Sequence, residues 1–348
     1  MNLFFIAITL LFVYLFSIGI TSLFYQYSIK KNLIDIPNER SSHSNPTPRG
    51  GGVSIAFFIF ISVLVTYFIE LVSFQIVMAA TGGVTIIALV GWVDDHKDIA
   101  FYWRFIFYSV ASIWVLFWLG SLTQIRIGSS VLPLSYLSGY VVTFLGLVWI
   151  TNLYNFMDGT DALAAVQAIC ASLLAGILLL NESSIGLALI CFTILSSCAG
   201  FLFWNWPPAK IFMGDVGSCV LGFIFAVLAI ASDKMDMVSV SVWCILLSVF
   251  ICDATFTLLK RIVCREKWYK AHRSHSYQKL VQMGISHKKL ALITIFINVF
   301  FIWPMAYLAH TLQTHAVTIA ITDIIIMFIT WGLIQLRYHR EYEANVIN

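Results

Sequence analysis

The sequence predicts an all-α polytopic membrane protein of about eleven transmembrane helices, N-terminus outside and C-terminus inside. Three observations predict it. Of 348 residues, 60% are hydrophobic and only 11% are charged, whereas soluble domains carry about 25% charged residues. A globule of that composition has too little polar surface to face water, so a soluble enzyme is excluded. The apolar runs are also the right length, since segments such as 52–69 and 289–309 are nearly free of charge over the roughly 20 residues that cross a bilayer. The third observation is that the cations are sorted to one side.

Taken in order, the apolar runs place spans at about 2–26, 52–70, 74–92, 101–120, 138–154, 162–180, 185–203, 217–232, 237–259, 289–309 and 315–336. The first has no basic leader and no small-residue cleavage site, so it reads as a retained anchor. With an outer N-terminus, every second loop is cytoplasmic: about 28–51, 93–100, 155–161, 204–216 and 260–288. Those loops, their flanks and the C-terminal tail hold 18 of the 20 Lys and Arg, leaving Arg126 and Lys234 outside. The net charge is only +3, so the distribution carries the information, and it follows the positive-inside rule. Outer connections are short except 121–137, where Gln124-Ile125-Arg126-Ile127-Gly128 alternates like a small hairpin. The seven cysteines lie in spans or on the cytoplasmic side without a CxxC pair, so neither disulfides nor a zinc site are expected.

The acids fall where the cytoplasmic loops begin or end. Asp94 and Asp95 close the third span in Gly91-Trp92-Val93-Asp94-Asp95. Asp158 and Asp161 follow the fifth in Asn152-Leu153-Tyr154-Asn155-Phe156-Met157-Asp158-Gly159-Thr160-Asp161, and Asp215 precedes the eighth in Phe212-Met213-Gly214-Asp215-Val216-Gly217-Ser218. Any one of them is equally explained as a solvated residue or a helix cap, a reading that suits Asp161 and Asp215. Five carboxylates from three loops on one face of a charge-poor chain are harder to explain that way. Hard oxygen ligands at a membrane surface suit Mg²⁺, with Mn²⁺ as the alternative, when the ion also meets phosphates.

The basic side is less decisive. In Asn45-Pro46-Thr47-Pro48-Arg49-Gly50-Gly51-Gly52 a rigid turn runs into glycines, offering Arg49 to an anion, or simply making a tight entry into the next helix. His272-Arg273-Ser274-His275-Ser276-Tyr277-Gln278 is either a diphosphate-binding loop or a surface charge run, and composition alone favours the charge run. The two histidines have no third nitrogen or sulfur ligand nearby, which argues against zinc. A carboxylate–metal centre, phosphate-binding cations and a membrane body fit phosphoryl transfer to or from a lipid. A transporter is the competing class. It calls for ionisable residues near the midplane and often an inverted repeat; here only Asp323 sits deep in a span, Asp253 lies nearer an end, and no repeat is evident.

The motifs Pro-Thr-Pro-Arg-Gly-Gly, Gly-Trp-Val-Asp-Asp, Asn-Phe-Met-Asp-Gly-Thr-Asp, Phe-Met-Gly-Asp-Val-Gly-Ser and His-Arg-Ser-His, in this order over about residues 28–280, resemble the polyprenyl-phosphate N-acetylhexosamine-1-phosphate transferases. That superfamily, glycosyltransferase family 4, includes the MraY, WecA and TagO types. The span count resembles the WecA type, and His-Arg-Ser-His followed by Tyr-Gln resembles the WbpL branch that starts O-antigen synthesis.

The resemblance implies one integral-membrane transferase domain over 1–348, in a bacterial inner membrane, with its active site on the cytoplasmic face. It implies that Asp158 and Asp215 hold Mg²⁺, and that Asp94 and Asp95 serve the lipid phosphate or remove a proton. Asn152, Asn155 and Asp161 are implied to line the nucleotide side, Phe212 to stack on uracil and Asn205 to touch uridine. His272, Arg273 and His275 are implied to handle the diphosphate and sugar; Arg49 stands where relatives vary. The implied partners are a UDP-N-acetylhexosamine, undecaprenyl phosphate and the bilayer, with a homodimer admitted and no nucleic acid. The sugar stays open between 6-deoxy donors, N-acetylfucosamine or N-acetylquinovosamine, and N-acetylglucosamine.

Overall fold

The computed structural model describes residues 3–37, 45–97, 99–127, 130–267 and 272–343, nearly all of them helical. Arg40, Lys270 and the hairpin residue Gly128 lie outside the described residues. Helix α1 (Leu3–Lys30) leads into a short strap, β1 (Ile34–Asp35) antiparallel to β2 (Thr47–Pro48). Then come α2 (Val53–Phe68), α3 (Phe74–Lys97) and α4 (Phe101–Leu119). The expected hairpin is β3 (Gln124–Ile127) paired with β4 (Ser130–Pro133). It is followed by α5 (Tyr136–Phe156), α6 (Leu163–Asn181), α7 (Ile185–Asn205) and α8 (Gly214–Lys234). The last third holds α9 (Val240–Leu246), α10 (Ser248–Val263), the short α11 (Ser276–Gln282), α12 (His287–Ile297), α13 (Trp303–Thr311) and α14 (Ala316–Tyr338).

Every expected span contains helix. Among the described residues nine helices are long and apolar enough to cross a bilayer, one of them running His287–Thr311 through α12 and α13. This is an all-α polytopic membrane protein. Helix α2 is apolar but only 16 residues long. The ninth expected span, read as one stretch over 237–259, is instead broken: α9 and α10 meet at Leu247 and bend by 80°. No proline or glycine stands there. The amide of Gln167 donates to the Leu246 carbonyl at 2.8 Å, and Asn298 holds that Gln167 at 2.9 Å. A side chain from a neighbouring helix thus occupies the backbone acceptor at the break.

Helix α8 is the hub. It is buried on nearly all sides, whereas α1 and α14 present rows of aliphatic and aromatic side chains outward. That contrast is expected where lipid, as apolar as leucine, surrounds the bundle. Two close approaches bring the polar ends together. Gly52 and Gly217 sit backbone to backbone, with no room for a Cβ on either. A Cβ on Gly91 would lie 2.7 Å from the Val216 nitrogen, so α3 can lie directly against the start of α8. Asp94 and Asp95 are thereby delivered to Asp215.

Candidate functional site

The start of α8 organises the site. Asp95, 3% exposed at the end of α3, accepts hydrogen bonds from the backbone N–H groups of Asp215 (3.0 Å) and Val216 (3.4 Å). It caps α8 from another helix, satisfying donors that a helix start leaves open. Gly214 is required beside it: its φ of +76° is left-handed, and a Cβ would lie 2.7 Å from an Asp95 carboxylate oxygen. Asp94 points elsewhere, accepting from the Ile99 N–H at 2.7 Å and pairing with Arg104 at 3.0 Å. Arg104 also reaches Asp215 Oδ2 at 3.5 Å, while the Asn155 amide donates to Asp215 Oδ1 at 2.8 Å.

Asp95, Asp158 and Asp215 face one recess of about 220 Å³, together with Asn155, Asp161, Phe212 and Arg49. The ends of α3, α5, α7 and α8, the loop after α5, the strap, and Gln278 and His287 of α11 and α12 build its wall. Phe212 donates its N–H to Pro48, and its carbonyl accepts from Gly50 and Gly51, so β2 is stitched to the loop before α8. Burial first, then the charges of Asp215, Asp95 and Asp161, push the Asp158 carboxyl well above the usual carboxylate range. The recess therefore concentrates negative charge that a cation would relieve. Among the described residues no three His, Cys, Asp or Glu side chains converge as a ready metal cage. Two carboxylates do suit Mg²⁺, which typically keeps several waters and completes its shell with substrate phosphates.

The remaining expected site residues divide. Asn152 donates to the Val148 carbonyl at 2.9 Å, within its own helix, and does not line the recess. Asn205 lines it, but its side chain is spent on the wall: Oδ1 accepts from the Ala162 N–H (2.8 Å) and Nδ2 donates to the Ile211 carbonyl (2.9 Å). Asp161 does not cap α6. Its carboxylate pairs with His287 at 3.2 Å and accepts from the Ala209 N–H at 3.1 Å. The His-Arg-Ser-His loop is placed apart from the recess. His272 and Arg273 line a separate cavity, and His275 is buried, its Nδ1 4.0 Å from Asp253. The cause is Asp253, which accepts from the N–H groups of Ser276 (2.8 Å) and Tyr277 (3.2 Å) and so turns the loop away as it caps α11. That also gives Asp253 a structural role in place of a transport one.

Several residues at the site escaped the sequence reading. Arg104 counted only as an orientation charge, although a cation inside an apolar run is itself a signal. His287 and Asp35 line the recess and nothing in their local sequence marks them, while Thr160 and Gln278 stood inside the motifs without an assigned role.

The family model for glycosyl transferase family 4 matches residues 77–233, the stretch that carries all five acids. A phospho-N-acetylmuramoyl-pentapeptide-transferase of Synechocystis is 30% identical over 71% of this chain and 67% of its own length. The chain belongs to this glycosyl transferase family. Two further relatives extend the match across most of the chain. A probable undecaprenyl-phosphate N-acetylglucosaminyl 1-phosphate transferase of Bacillus subtilis is 28% identical over 89% of this chain and 86% of its own. An undecaprenyl-phosphate alpha-N-acetylglucosaminyl 1-phosphate transferase of Yersinia pestis is 25% identical over 85% and 82%. The family model ends at residue 233, so it includes the five acids and leaves out Asp35, Arg49, Gln278 and His287 of the recess as well as the His-Arg-Ser-His loop.

Proposed function

We propose that this enzyme transfers a sugar 1-phosphate from a UDP-N-acetylhexosamine to undecaprenyl phosphate, releasing UMP, on the cytoplasmic face of a bacterial inner membrane. The product would start an O-antigen or another cell-envelope glycan. The observation that carries the reading is the meeting of Asp158, Asp215 and Asn155 at one recess at the end of an apolar helix bundle. The names of the relatives from Bacillus subtilis and Yersinia pestis support the acceptor.

In the proposed reaction a phosphate oxygen of the acceptor attacks the β-phosphorus of the donor. The bond from that phosphorus to the bridging oxygen breaks, and UMP leaves with the electron pair. A phosphate monoester has its second pKa near 6, so the acceptor is largely dianionic at neutral pH and needs no general base. Asp158 and Asp215 would hold Mg²⁺, or Mn²⁺, which would neutralise charge developing on the diphosphate. Asn155 fixes the Asp215 carboxylate. Asp94 acts as a positioning residue, setting Arg104 against Asp215. Phe212 offers a ring to uracil, and Asn205 holds the wall behind it. Catalysis of this kind is mostly placement and charge neutralisation.

The sugar end is assigned to Thr160, Gln278 and His287, on the recess side formed by the loop after α5 and by α11 and α12. The resemblance of His272-Arg273-Ser274-His275-Ser276-Tyr277-Gln278 to a branch using 6-deoxy sugars supports a 6-deoxy-N-acetylhexosamine donor, and the relatives' names favour N-acetylglucosamine as a second reading. A pocket shaped for a 6-methyl group rejects an added hydroxyl only about 10²-fold, so some overlap is expected. The test is UMP release by the purified protein with Mg²⁺, undecaprenyl phosphate and each of the three UDP-sugars, compared by kcat/KM. Absence of UMP with every donor would overturn the transferase reading, and a clear preference for the glucosamine donor would overturn only the 6-deoxy assignment.

A further inference from the structure

Helix α4 lies mostly at the outside of the bundle. Around Arg104 it exposes Trp103, Phe105 and Ile106, while Tyr108, Ala111 and Ser112 turn inward. Yet this peripheral helix carries Arg104, whose guanidinium lies 3.0 Å from Asp94 and 3.5 Å from Asp215. A long side chain keeps such a placement only while its helix keeps its rotation and register against α8. Placement matters here, since a shift of about 1 Å beside reacting groups can cost about 10²-fold in rate.

One turn deeper, the two helices meet again. Tyr108 follows Arg104 by four residues on α4, and Cys219 follows Asp215 by four on α8. Each therefore lies on the same helix face as the charged residue before it. The Tyr108 hydroxyl is 3.0 Å from Cys219 Sγ, and the two side chains are 2% and 0% exposed. The contact makes a second rung between α4 and α8, behind the rung from Arg104 to Asp215. Trp114, further along α4, is tied to a different neighbour, donating to the Met78 carbonyl of α3 at 2.7 Å.

The bland account is that Tyr108 and Cys219 fill core space. Phenylalanine and alanine fill space without a polar atom, and a buried hydroxyl costs free energy unless it is bonded. A hydrogen bond is also directional. It fixes the rotation of α4 on α8, which apolar packing against lipid-like neighbours leaves adjustable.

We propose that the Tyr108–Cys219 contact holds Arg104 against Asp215, which makes Tyr108 a positioning residue for the phosphoryl transfer. Tyr108 is absent from the recess wall and acts through Arg104. This role rests on the transferase reading given above.

The test is steady-state UMP release by the full-length protein with Mg²⁺, undecaprenyl phosphate and the best of the three UDP-sugars. Tyr108→Phe removes the oxygen and keeps the ring. It should lower kcat about tenfold, the low end of what an outer-layer partner costs, with KM for the nucleotide sugar unchanged. Cys219→Ala should do the same, whereas Cys219→Ser, which keeps a hydrogen-bonding atom, should stay within about threefold of wild type. In an Arg104→Gln background, Tyr108→Phe should cost less than about twofold more, because the residue it holds is gone. An equal loss with and without Arg104 would make Tyr108 a general support of the fold and overturn the proposal. If Tyr108→Phe does not fold or Arg104→Gln is too slow to assay, Cys219→Ser against Cys219→Ala decides, and equal kcat in those two overturns it. A wild type that releases no UMP overturns the transferase reading and this role together. UMP release at equal kcat in wild type and Tyr108→Phe overturns this role alone.

Discussion

Two polar regions lie side by side in this protein, and they are built in opposite ways. The acidic recess is centred on the ends of α3, α5 and α8, with Gln278 and His287 closing one side, and its short carboxylates are held by backbone N–H groups, by Asn155 or by His287. The basic cavity, which His272 and Arg273 line, is made by peripheral helices, α10, α11 and α14, with long side chains sharing acceptors. The family model covers most of the recess wall and none of the basic cavity, while the relative from Bacillus subtilis matches 89% of the chain. Chemistry that depends on placement sits on rigid elements supported by a second layer of hydrogen bonds. The long cations sit on the peripheral helices.

The largest effect expected from this contrast is at the metal-holding carboxylates. Asp215→Asn or Asp158→Asn should lower kcat by at least about 10³-fold, several kcal/mol of lost charge stabilisation, with insertion and folding intact. UMP release over a Mg²⁺ titration checks it. Near-normal turnover by Asp215→Asn with Mg²⁺ as sole divalent ion would break the claim that the recess holds the chemistry. The matching change in the basic cavity, Lys260→Gln, should leave turnover in detergent within about twofold, since the residue lies outside the recess.

Asp94 sharpens the comparison inside the acidic region. It is buried, bound to Ile99 and Arg104, and absent from the recess wall. Asp94→Asn should therefore lower kcat about 10–100-fold, the usual size for a residue that orients a metal-site ligand from behind, while KM for the nucleotide sugar changes little. A parallel loss of nucleotide binding would place Asp94 at the ligand itself. If Asp94 instead removes a proton from the acceptor, Asp94→Asn should also flatten the pH–rate profile near neutrality, and a positioning role leaves that profile in place.

How much of this could be read from the sequence also divides along the two regions. The spans were legible because lipid imposes a simple rule of length and polarity, and the five acids stood out because charge is scarce. The break in the ninth span was not legible, since Gln167 reaches Leu246 from another helix. Nor was the cap made by Asp95 on α8: local sequence offered Asp215 and Asp161 as caps of their own helices, and both side chains face other partners. The position of the His-Arg-Ser-His loop was not legible for the same reason, because a carboxylate one helix earlier in the chain, Asp253, holds the backbone where it turns.

Tyr277 joins the two regions, and crowding it gives a smaller, testable effect. Its buried hydroxyl donates to the Phe156 carbonyl at 2.9 Å, against the loop that carries Asp158. A Cβ on Gly159 would run into that hydroxyl. Gly159→Ala should cost about 1–3 kcal/mol, as overpacking does, and lower activity by shifting Asp158. Gly159→Ala with Tyr277→Phe should recover part of both. Full stability in Gly159→Ala alone would mean that the two loops are less tightly joined than the geometry indicates.

The smallest predicted effect tests whether the basic region really withdraws its histidines from water. Burial, then the neighbouring His275 and Arg261, push His272 down from its ordinary 6.5 to about 3. Burial also lowers His275. The neutral His272 ring fits its contact with the Ser274 hydroxyl, 2.8 Å from Nδ1. An unfolded chain takes up a proton near pH 6.5, and the folded loop resists until near 3. Stability from this group is thus fully present above pH 6.5 and is lost progressively on acidification towards 3. The thermal midpoint of the wild type should fall more steeply than that of His272→Gln between pH 7.5 and 5, a window of about 2.5 units around the ordinary histidine value. The recess carboxylates are common to both proteins, so the difference between the curves isolates the histidine. Parallel curves would mean that His272 is solvated and the cavity more open than its geometry.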